Sequence, residues 1–331
     1  MQIKWGIIGP GRIAQTFTDA LLNGTDGQLV AVASSNLERA QSFAKKNNVA
    51  KVASSYQALA NDPNIDVIYI AATHNFHFEH AIMCLQAGKH LLIEKPITIN
   101  AQQAQEIVDL ATSKQCFVME ALWTRFLPSC QQAKQWLDAG EIGELQSVQS
   151  SIGFAFDRGP EHRAVNKALA GGALLDLGVY SVAMSQWFLQ DNPVELQSMA
   201  HIGDTDIDSQ LLVNMRYSNQ RFAQFTTAVD TKCGNHMILH GSKGDIEIAN
   251  MFWAGETVQL NIGDKSIRKT LPKQVNGFEY QIREVHQCLQ QGKRQSDVMP
   301  LADTLANMHT MDSIRQQIGL HYGDEMENSH Y

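Results

Sequence analysis

The stretch QIKWGIIGPGRIAQTFTDALL, residues 2–22, decides the fold. It opens with a short apolar run, QIKWGII (2–8), which the turn Gly9-Pro10-Gly11 ends. Residues 12–22 then carry apolar side chains at helical spacing, with Ile13, Phe17, Ala20 and Leu21 on one stripe. A strand running through a glycine turn into a helix is the opening unit of a parallel α/β sheet.

The same grammar repeats outward from this stretch. QLVAVAS (28–34) is too short for a helix and rich in Val, so it reads as a buried strand. A polar helix (36–47), a buried strand DVIYIAA (66–72), a helix ended by Gly88 (78–88) and a strand HLLIEK (90–95) follow. A helix over 100–114 leads to one more strand, CFVMEA (116–121). After about residue 122 the pattern changes. Helices are expected at 128–139, 161–170 and 173–189, followed or flanked by alternating runs such as LQSVQSSIGFAF, VELQSMAHI, SQLLVNMRY and RFAQFTTAVD. NHMILHG and GDIEIAN continue them, and together they read as a mostly antiparallel sheet. Helices at 277–291 and 300–319 and a loose polar tail close the chain. The expected architecture is a doubly wound Rossmann domain, 1–122, followed by an α+β domain with an open, mostly antiparallel sheet, 123–331.

Composition excludes several classes. At 331 residues, 44% hydrophobic and 18% charged, the chain is globular and long enough for two cores. A formal charge of −8 gives no global electrostatic footprint for nucleic acid or an anionic membrane. The five cysteines are widely spaced and form no CxxC pair, so neither a disulfide framework nor a thiolate zinc site is expected. No basic segment leads into an apolar stretch at the N-terminus, and no apolar run approaches the ~18 residues of a membrane span. A cytoplasmic protein is expected.

Gly9-Pro10-Gly11-Arg12-Ile13-Ala14 is a GxGxxA turn at the first strand-to-helix junction. The first Gly permits the tight turn, the second lets backbone approach a pyrophosphate at the positive helix end, and the small third residue permits helix–strand packing. A nicotinamide dinucleotide is the expected cofactor. The end of the second strand selects its form. NAD sites place a carboxylate there, whereas this chain has Ser34-Ser35-Asn36, with no acid before Glu38. Hydroxyls can donate to a 2′-phosphate, and Arg39 and Arg12 can add charge-assisted bonds. NADP is therefore expected over NAD.

The GPGRIA turn, Glu94-Lys95-Pro96 at a strand end and Asp176-Leu177-Gly178-Val179-Tyr180 resemble the glucose–fructose oxidoreductase/inositol dehydrogenase family. Glu120-Ala121-Leu122-Trp123-Thr124-Arg125-Phe126, GFEYQIREVHQCL (277–289) and MDSIRQQIGL (311–320) resemble its dimeric dihydrodiol dehydrogenase branch, which includes NADP-dependent D-xylose dehydrogenases. The resemblance runs through essentially the whole chain. It implies a homodimer and hydride transfer between nicotinamide and a carbinol.

The residues make chemical sense on their own. Oxidising an alcohol moves a hydride to the nicotinamide and a proton to a base. Tyr180 can be that base if its pKa falls well below about 10, and the Lys95 ammonium is the candidate to lower it. Lys95 ends its strand at the ligand-binding edge of an α/β sheet. Asp176, four residues before Tyr180 on the expected helix, is placed to orient a substrate hydroxyl or Lys95. Gly178 in mid-helix suggests that something approaches the backbone closely. Many family members have His where Tyr180 stands, and the Tyr matches the dihydrodiol branch.

His74 and His77 follow a strand directly and match the family's His-x-x-His beside the nicotinamide ribose, with Thr73 where relatives usually have Pro. Zinc held by His74, His77, His80 and Glu79 was the competing reading, but HExxH and Cys ligands are absent, and no metal is expected. By resemblance, Glu94, Trp123 and Arg125 join Gly9, Gly11, Arg12, Ile13, Ser34, Arg39 and Lys95 at the cofactor. Phe154, Arg158, Arg163 and Phe278 are weaker pocket candidates. The expected substrate is a sugar or polyol. An aromatic trans-dihydrodiol with the same chemistry, or a non-catalytic NADP sensor, are the alternatives.

Overall fold

The structure is a computed structural model that describes residues 2–156 and 159–328. The candidate Arg158 lies outside the described residues. The chain forms two compact units, residues 1–123 with 274–304 and residues 124–273 with 305–331. The first stretch of the first unit ends at Trp123, and Gln274–Thr304 returns to that unit.

The first unit holds a six-stranded parallel sheet of β1 (Lys4–Ile8), β2 (Gln28–Ala33), β3 (Lys51–Val52), β4 (Val67–Ile70), β5 (His90–Ile93) and β6 (Val118–Glu120). Its order is β3-β2-β1-β4-β5-β6, so the chain reverses direction across the sheet between β1 and β4. Helices α1 (Arg12–Gly24), α2 (Leu37–Lys46), α3 (Tyr56–Ala60), α4 (His77–Gln86) and α5 (Ala101–Lys114) connect the strands. Strands β1 and β4 are almost wholly buried, as expected for a sheet covered on both faces. In α1 the buried residues are Ala14, Phe17, Thr18, Ala20 and Leu21. Ile13, placed on that stripe from the sequence, is instead 37% exposed. Phe17 stacks on Tyr69 of β4 at 4.0 Å. The short β3 and α3 were not expected from the sequence; five or fewer residues carry too little periodicity.

The second unit is built on an eight-stranded sheet: β7 (Leu145–Gly153), β8 (Glu195–Ile202), β9 (Asp208–Arg216), β10 (Phe222–Ala228), β11 (Met237–Gly241), β12 (Asp245–Ile248), β13 (Thr257–Ile262) and β14 (Lys265–Thr270). The order is β14-β13-β12-β11-β7-β10-β9-β8, with β7 and β10 parallel and the other neighbours antiparallel. One face packs against α6 (Pro128–Asp138) and α7 (Val179–Leu189). Leu211, Val213 and Met215 of β9 are buried toward those helices, while Leu212 and Asn214 point the other way. The hairpin β13–β14 escaped the sequence reading because every residue of KSIRKT in β14 is exposed, leaving no apolar alternation.

Two expected features are corrected. Residues 161–170 form no α-helix, only a single turn at Lys167–Leu169. Asn166 caps it with its own side chain, Ala170 turns left-handed at φ 53°, and a Cβ on Gly171 would meet the Arg163 carbonyl at 2.6 Å. In addition, the segment Lys167–Leu189 does have the length and mean hydropathy, 1.4, of a membrane span, but 89% of its most apolar window is buried inside the fold.

The chain re-enters the first unit with α8 (Phe278–Gln290) and continues through α9 (Leu301–Ile318) to α10 (Asp324–Glu327). Helix α8 packs on α1, and its His286 accepts a hydrogen bond from the indole N–H of Trp5 at 3.0 Å. The tail is ordered through Asn328 rather than loose: Glu327 accepts from Tyr322 N–H at 2.7 Å and pairs with Arg315 at 2.8 Å.

Candidate active site

In the first unit the glycine turn and the β5 end lie at the C-terminal edge of the parallel strands. Gly9 has φ +83°, and a Cβ there would sit 2.9 Å from three backbone atoms of Ala71 and Ala72. Only glycine fits. A Cβ on Gly11 would meet nothing nearer than the Gly9 carbonyl at 3.9 Å, so the space before the α1 N-terminus is open. No side chain caps α1, and no acidic residue stands in its first turn. Unshielded N–H groups at a positive helix end facing open space fit a pyrophosphate.

The β2 end is ordered by its own polar groups. Ser34 Oγ accepts from Asn36 N–H at 3.1 Å, and Asn36 Oδ1 caps α2 by accepting from Arg39 N–H at 2.8 Å. Ser35 N–H donates to the Tyr56 hydroxyl at 2.8 Å, an anchor the sequence reading missed. Arg12 and Arg39 are exposed. Asn36 is therefore committed to helix capping, whereas the Arg39 side chain is exposed and Ser34 is half-buried.

Lys95 is half-buried and follows a rigidly held strand end. Glu94 accepts a very short hydrogen bond from the Tyr69 hydroxyl, and its N–H bonds the Ile70 carbonyl at 3.0 Å. The Lys95–Pro96 peptide is cis. His77, fully buried, bridges the Pro96 carbonyl at 2.8 Å and the Ala72 carbonyl at 3.1 Å. Ile97 N–H donates to Glu120 at 3.1 Å, and Glu120 also accepts from Thr304 at 3.1 Å. His77 is thus a buttress of the Lys95 loop, and Glu120, 1% exposed, is a second one. In the sequence Glu120 stands out only as a strand residue and as part of the family resemblance.

Thr73 donates to Asn75 at 2.7 Å, and His74 is buried beside His77 with ring centroids 5.8 Å apart. His80 lies between Tyr56 and Phe76, and burial together with the charge of His77 pushes its pKa down to about 4. No group of three or more His, Cys, Asp or Glu among the described residues is arranged to hold a metal ion. Trp123 packs on Phe278 at 4.8 Å, at the start of α8. The buried Glu279 carboxylate just beyond would be raised by burial but is held below its ordinary range by the N–H groups of Val275, Asn276 and Gly277.

In the second unit, Asp176 and Tyr180 are buried at 2% and 7% exposure. The expected helix begins with a π turn, Leu174–Gly178, before continuing as α7. Such insertions recur at functional sites because they re-aim side chains. Asp176 Oδ1 pairs with Arg163 Nη1 at 3.0 Å, which promotes a weak sequence candidate to a direct partner. The Tyr180 ring lies 6.3 Å from Trp253, which packs edge-on against Phe154 at 5.6 Å. Gly178 is explained by packing: a Cβ there would meet Leu174 at 3.1 Å and Thr227 and Phe225 of β10 at 3.4 and 3.5 Å. Arg125 has no exposed surface, donates to the Ala183 carbonyl at 3.1 Å and lies 5.7 Å from the Trp187 ring centroid, so it braces α7.

Comparison with known proteins bears on these features. Residues 3–122 match the oxidoreductase family with an NAD-binding Rossmann fold, and 130–247 match the GFO/IDH/MocA C-terminal domain. The chain belongs to the GFO/IDH/MocA family. Trans-1,2-dihydrobenzene-1,2-diol dehydrogenase of Xenopus tropicalis is 35% identical over 331 residues, covering 97% of this chain and all of the frog protein. The Homo sapiens protein of that name is 33% identical, covering 97% and 98%. A 3-ketoreductase from Actinomadura kijaniata, solved with NADP and TDP-benzene, superposes with TM-score 0.85 at 25% identity over 96% of this chain and 98% of its own. Aldose-aldose oxidoreductase of Caulobacter crescentus shares the fold, at TM-score 0.87 and 19% identity over 96% and 97%. As a GFO/IDH/MocA protein, the chain is an oxidoreductase, and its first unit is the domain that binds a nicotinamide dinucleotide.

Proposed function

We propose that this GFO/IDH/MocA protein is an NADP-dependent dehydrogenase that oxidises, or in reverse forms, a carbinol of a sugar or polyol. The observation that carries this reading is the buried pair of Asp176, on the π turn, and Tyr180, in the first turn of α7, which offers a carboxylate and a phenol in one shielded stretch. The bound dinucleotide supplies the hydride acceptor. Tyr180, as phenolate, takes the hydroxyl proton, and the Lys95 ammonium favours that phenolate. Asp176, charge-balanced by Arg163, accepts a hydrogen bond from a substrate hydroxyl. NADP is supported by the exposed Arg39, by Ser34 and by the absence of a carboxylate before Glu38, and by the related ketoreductase solved with NADP.

A trans-dihydrodiol is the second substrate reading. Two observations favour it: the name shared by relatives 33–35% identical along the chain, and the Phe154–Trp253 wall beside Tyr180. A homodimer is part of the proposal, formed through the sheet face opposite α6 and α7. Met199 (72% exposed), Leu212 (47%) and Phe222 (48%) lie on it, and Phe222 also lines a concavity of about 610 Å³ with Gln197, Asn214 and Gln224. A cytoplasmic setting is supported by five free cysteines.

The test is nicotinamide reduction with NADP or NAD across aldoses, inositols and trans-dihydrodiols, for the wild type and Tyr180→Phe. Turnover with NADP on one class, lost by about 10²–10⁴-fold in Tyr180→Phe with dinucleotide binding retained, is the expected result. Retained turnover in the variant removes Tyr180 from its role. A preference for NAD overturns the cofactor assignment.

A further inference from the structure

Asp208, the first residue of β9, is a carboxyl group with no exposed surface. Its Oδ2 accepts a hydrogen bond from Leu174 N–H at 2.6 Å, and Leu174 is the first residue of the π turn that carries Asp176. Its Oδ1 has no hydrogen-bond partner among the described residues. That oxygen lies against Gly172, where a Cβ would come within 2.1 Å of it at a backbone φ of +131°. No residue other than glycine leaves room for the carboxyl group. The neighbouring Gly171 is held from the other side, since its carbonyl accepts from the Tyr322 hydroxyl at 2.7 Å. Asp176 N–H in turn bonds the Gly172 carbonyl at 3.2 Å, and the Thr227 hydroxyl bonds the Ala173 carbonyl at 3.4 Å.

A hydrophobic core has no use for a lone buried carboxyl group, which is costly to keep. This one is spent on backbone N–H groups at the entrance to the catalytic segment, chiefly that of Leu174. We propose that Asp208 is a positioning residue of the active site: by holding Leu174 N–H and seating on Gly172, it fixes where the π turn begins and therefore how Asp176 and Tyr180 are aimed. The inference rests on the reading of Asp176 and Tyr180 given above. It goes beyond that reading by assigning a role to a residue in no motif of the sequence.

The electrostatic setting gives the device a signature. Burial pushes Asp208 up to about 7, although the N–H groups of Leu174 and Ala173 and the charge of Arg315 pull the other way. The titratable and charged groups around it are Arg315 and Tyr322 on the C-terminal segment. Arg315 is itself paired with Glu327 at 2.8 Å and Asp312 at 3.3 Å. A carboxylate accepts from Leu174 N–H more strongly than its protonated form does. The grip on the π turn therefore tightens as pH rises through neutrality.

The experiment compares the full-length wild type, Asp208→Asn and Asp208→Ala, with Tyr180→Phe alongside. Amide hydrogen exchange across residues 171–182 is followed at several pH values and corrected for intrinsic rates. Kcat, KM and dinucleotide affinity are measured in parallel. In the wild type, protection of the Leu174 amide rises through about pH 7. Asp208→Asn keeps an acceptor without the charge, so its protection is flat with pH. Asp208→Ala loses at least about tenfold in protection, and kcat falls about 10- to 100-fold with dinucleotide affinity unchanged. Equal protection and superimposable pH profiles in wild type and Asp208→Asn overturn the inference, as does an Asp208→Ala protein with wild-type kcat. If Asp208→Ala does not fold, the Asn comparison decides. The exchange measurement reads the clamp without turnover, so retained activity in Tyr180→Phe would refute the catalytic reading separately.

Discussion

The glycine turn allows two chemically identical substitutions with opposite consequences. Gly9→Ala places a methyl group 2.9 Å from the Ala71 carbonyl carbon and oxygen and the Ala72 nitrogen, at a φ of +83°. The left-handed backbone costs an L-residue about 1–2 kcal/mol, and overpacking against fixed main chain adds about 1–3 kcal/mol. The expected loss is thus about 3 kcal/mol. For a unit of roughly 150 residues this lowers the melting temperature by about 6–12 °C. Gly11→Ala has an ordinary φ of −98° and no contact nearer than 3.9 Å. Its stability should stay within about 0.5 kcal/mol of wild type. The same methyl group, however, occupies the space before α1 where a pyrophosphate must approach backbone N–H groups. Dinucleotide affinity should fall at least tenfold, about 1.4 kcal/mol. Thermal melts of the free proteins and fluorescence titrations with NADPH separate the two effects. Wild-type affinity in Gly11→Ala, or an unchanged melt for Gly9→Ala, refutes the reasoning.

Two further outcomes follow from the same coordinates. His80 keeps its imidazole neutral in the fold, at about 4 against 6.5 when unfolded, so the unfolded chain binds the extra proton between those values and stability falls as pH falls. The loss reaches about 3 kcal/mol, and His80→Phe, which keeps a ring between Tyr56 and Phe76, should flatten the acid limb of denaturant unfolding; an unchanged limb would place the titration elsewhere. On the outer sheet face, Leu212 pairs across strands with Met199, and Leu212→Glu is expected to convert the proposed dimer to monomer in sedimentation, whereas an unaffected dimer would move the interface off this face.

The sequence alone determined the first unit's strand–helix alternation, the GxGxxA turn and the second, mostly antiparallel sheet. It did so because each rests on local periodicity or on a steric demand that only glycine meets. It also singled out Lys95, Asp176 and Tyr180 as candidates, through the family resemblance and the residue types that hydride transfer would need. The structure decided the rest. Whether 161–170 coils was settled by Asn166 competing with the helix and by the close approach at Gly171, neither of which periodicity registers. Arg125 enters the sequence reading only as a cofactor contact implied by resemblance, and its bracing of α7 through the Ala183 carbonyl comes from the tertiary structure. Gly178 suggested a close approach to the backbone, and the structure shows which side chains make it, Leu174 and, from β10, Thr227 and Phe225. Tyr56 and Asp208 carry no motif, and the motif that contains Glu120 does not show its role, since each acts on a backbone group distant in sequence: Asp208 meets Leu174, 34 residues away. Local pattern fixes which elements form and which groups have the right chemistry. Only tertiary packing brings a buried acceptor to the one donor that aims them.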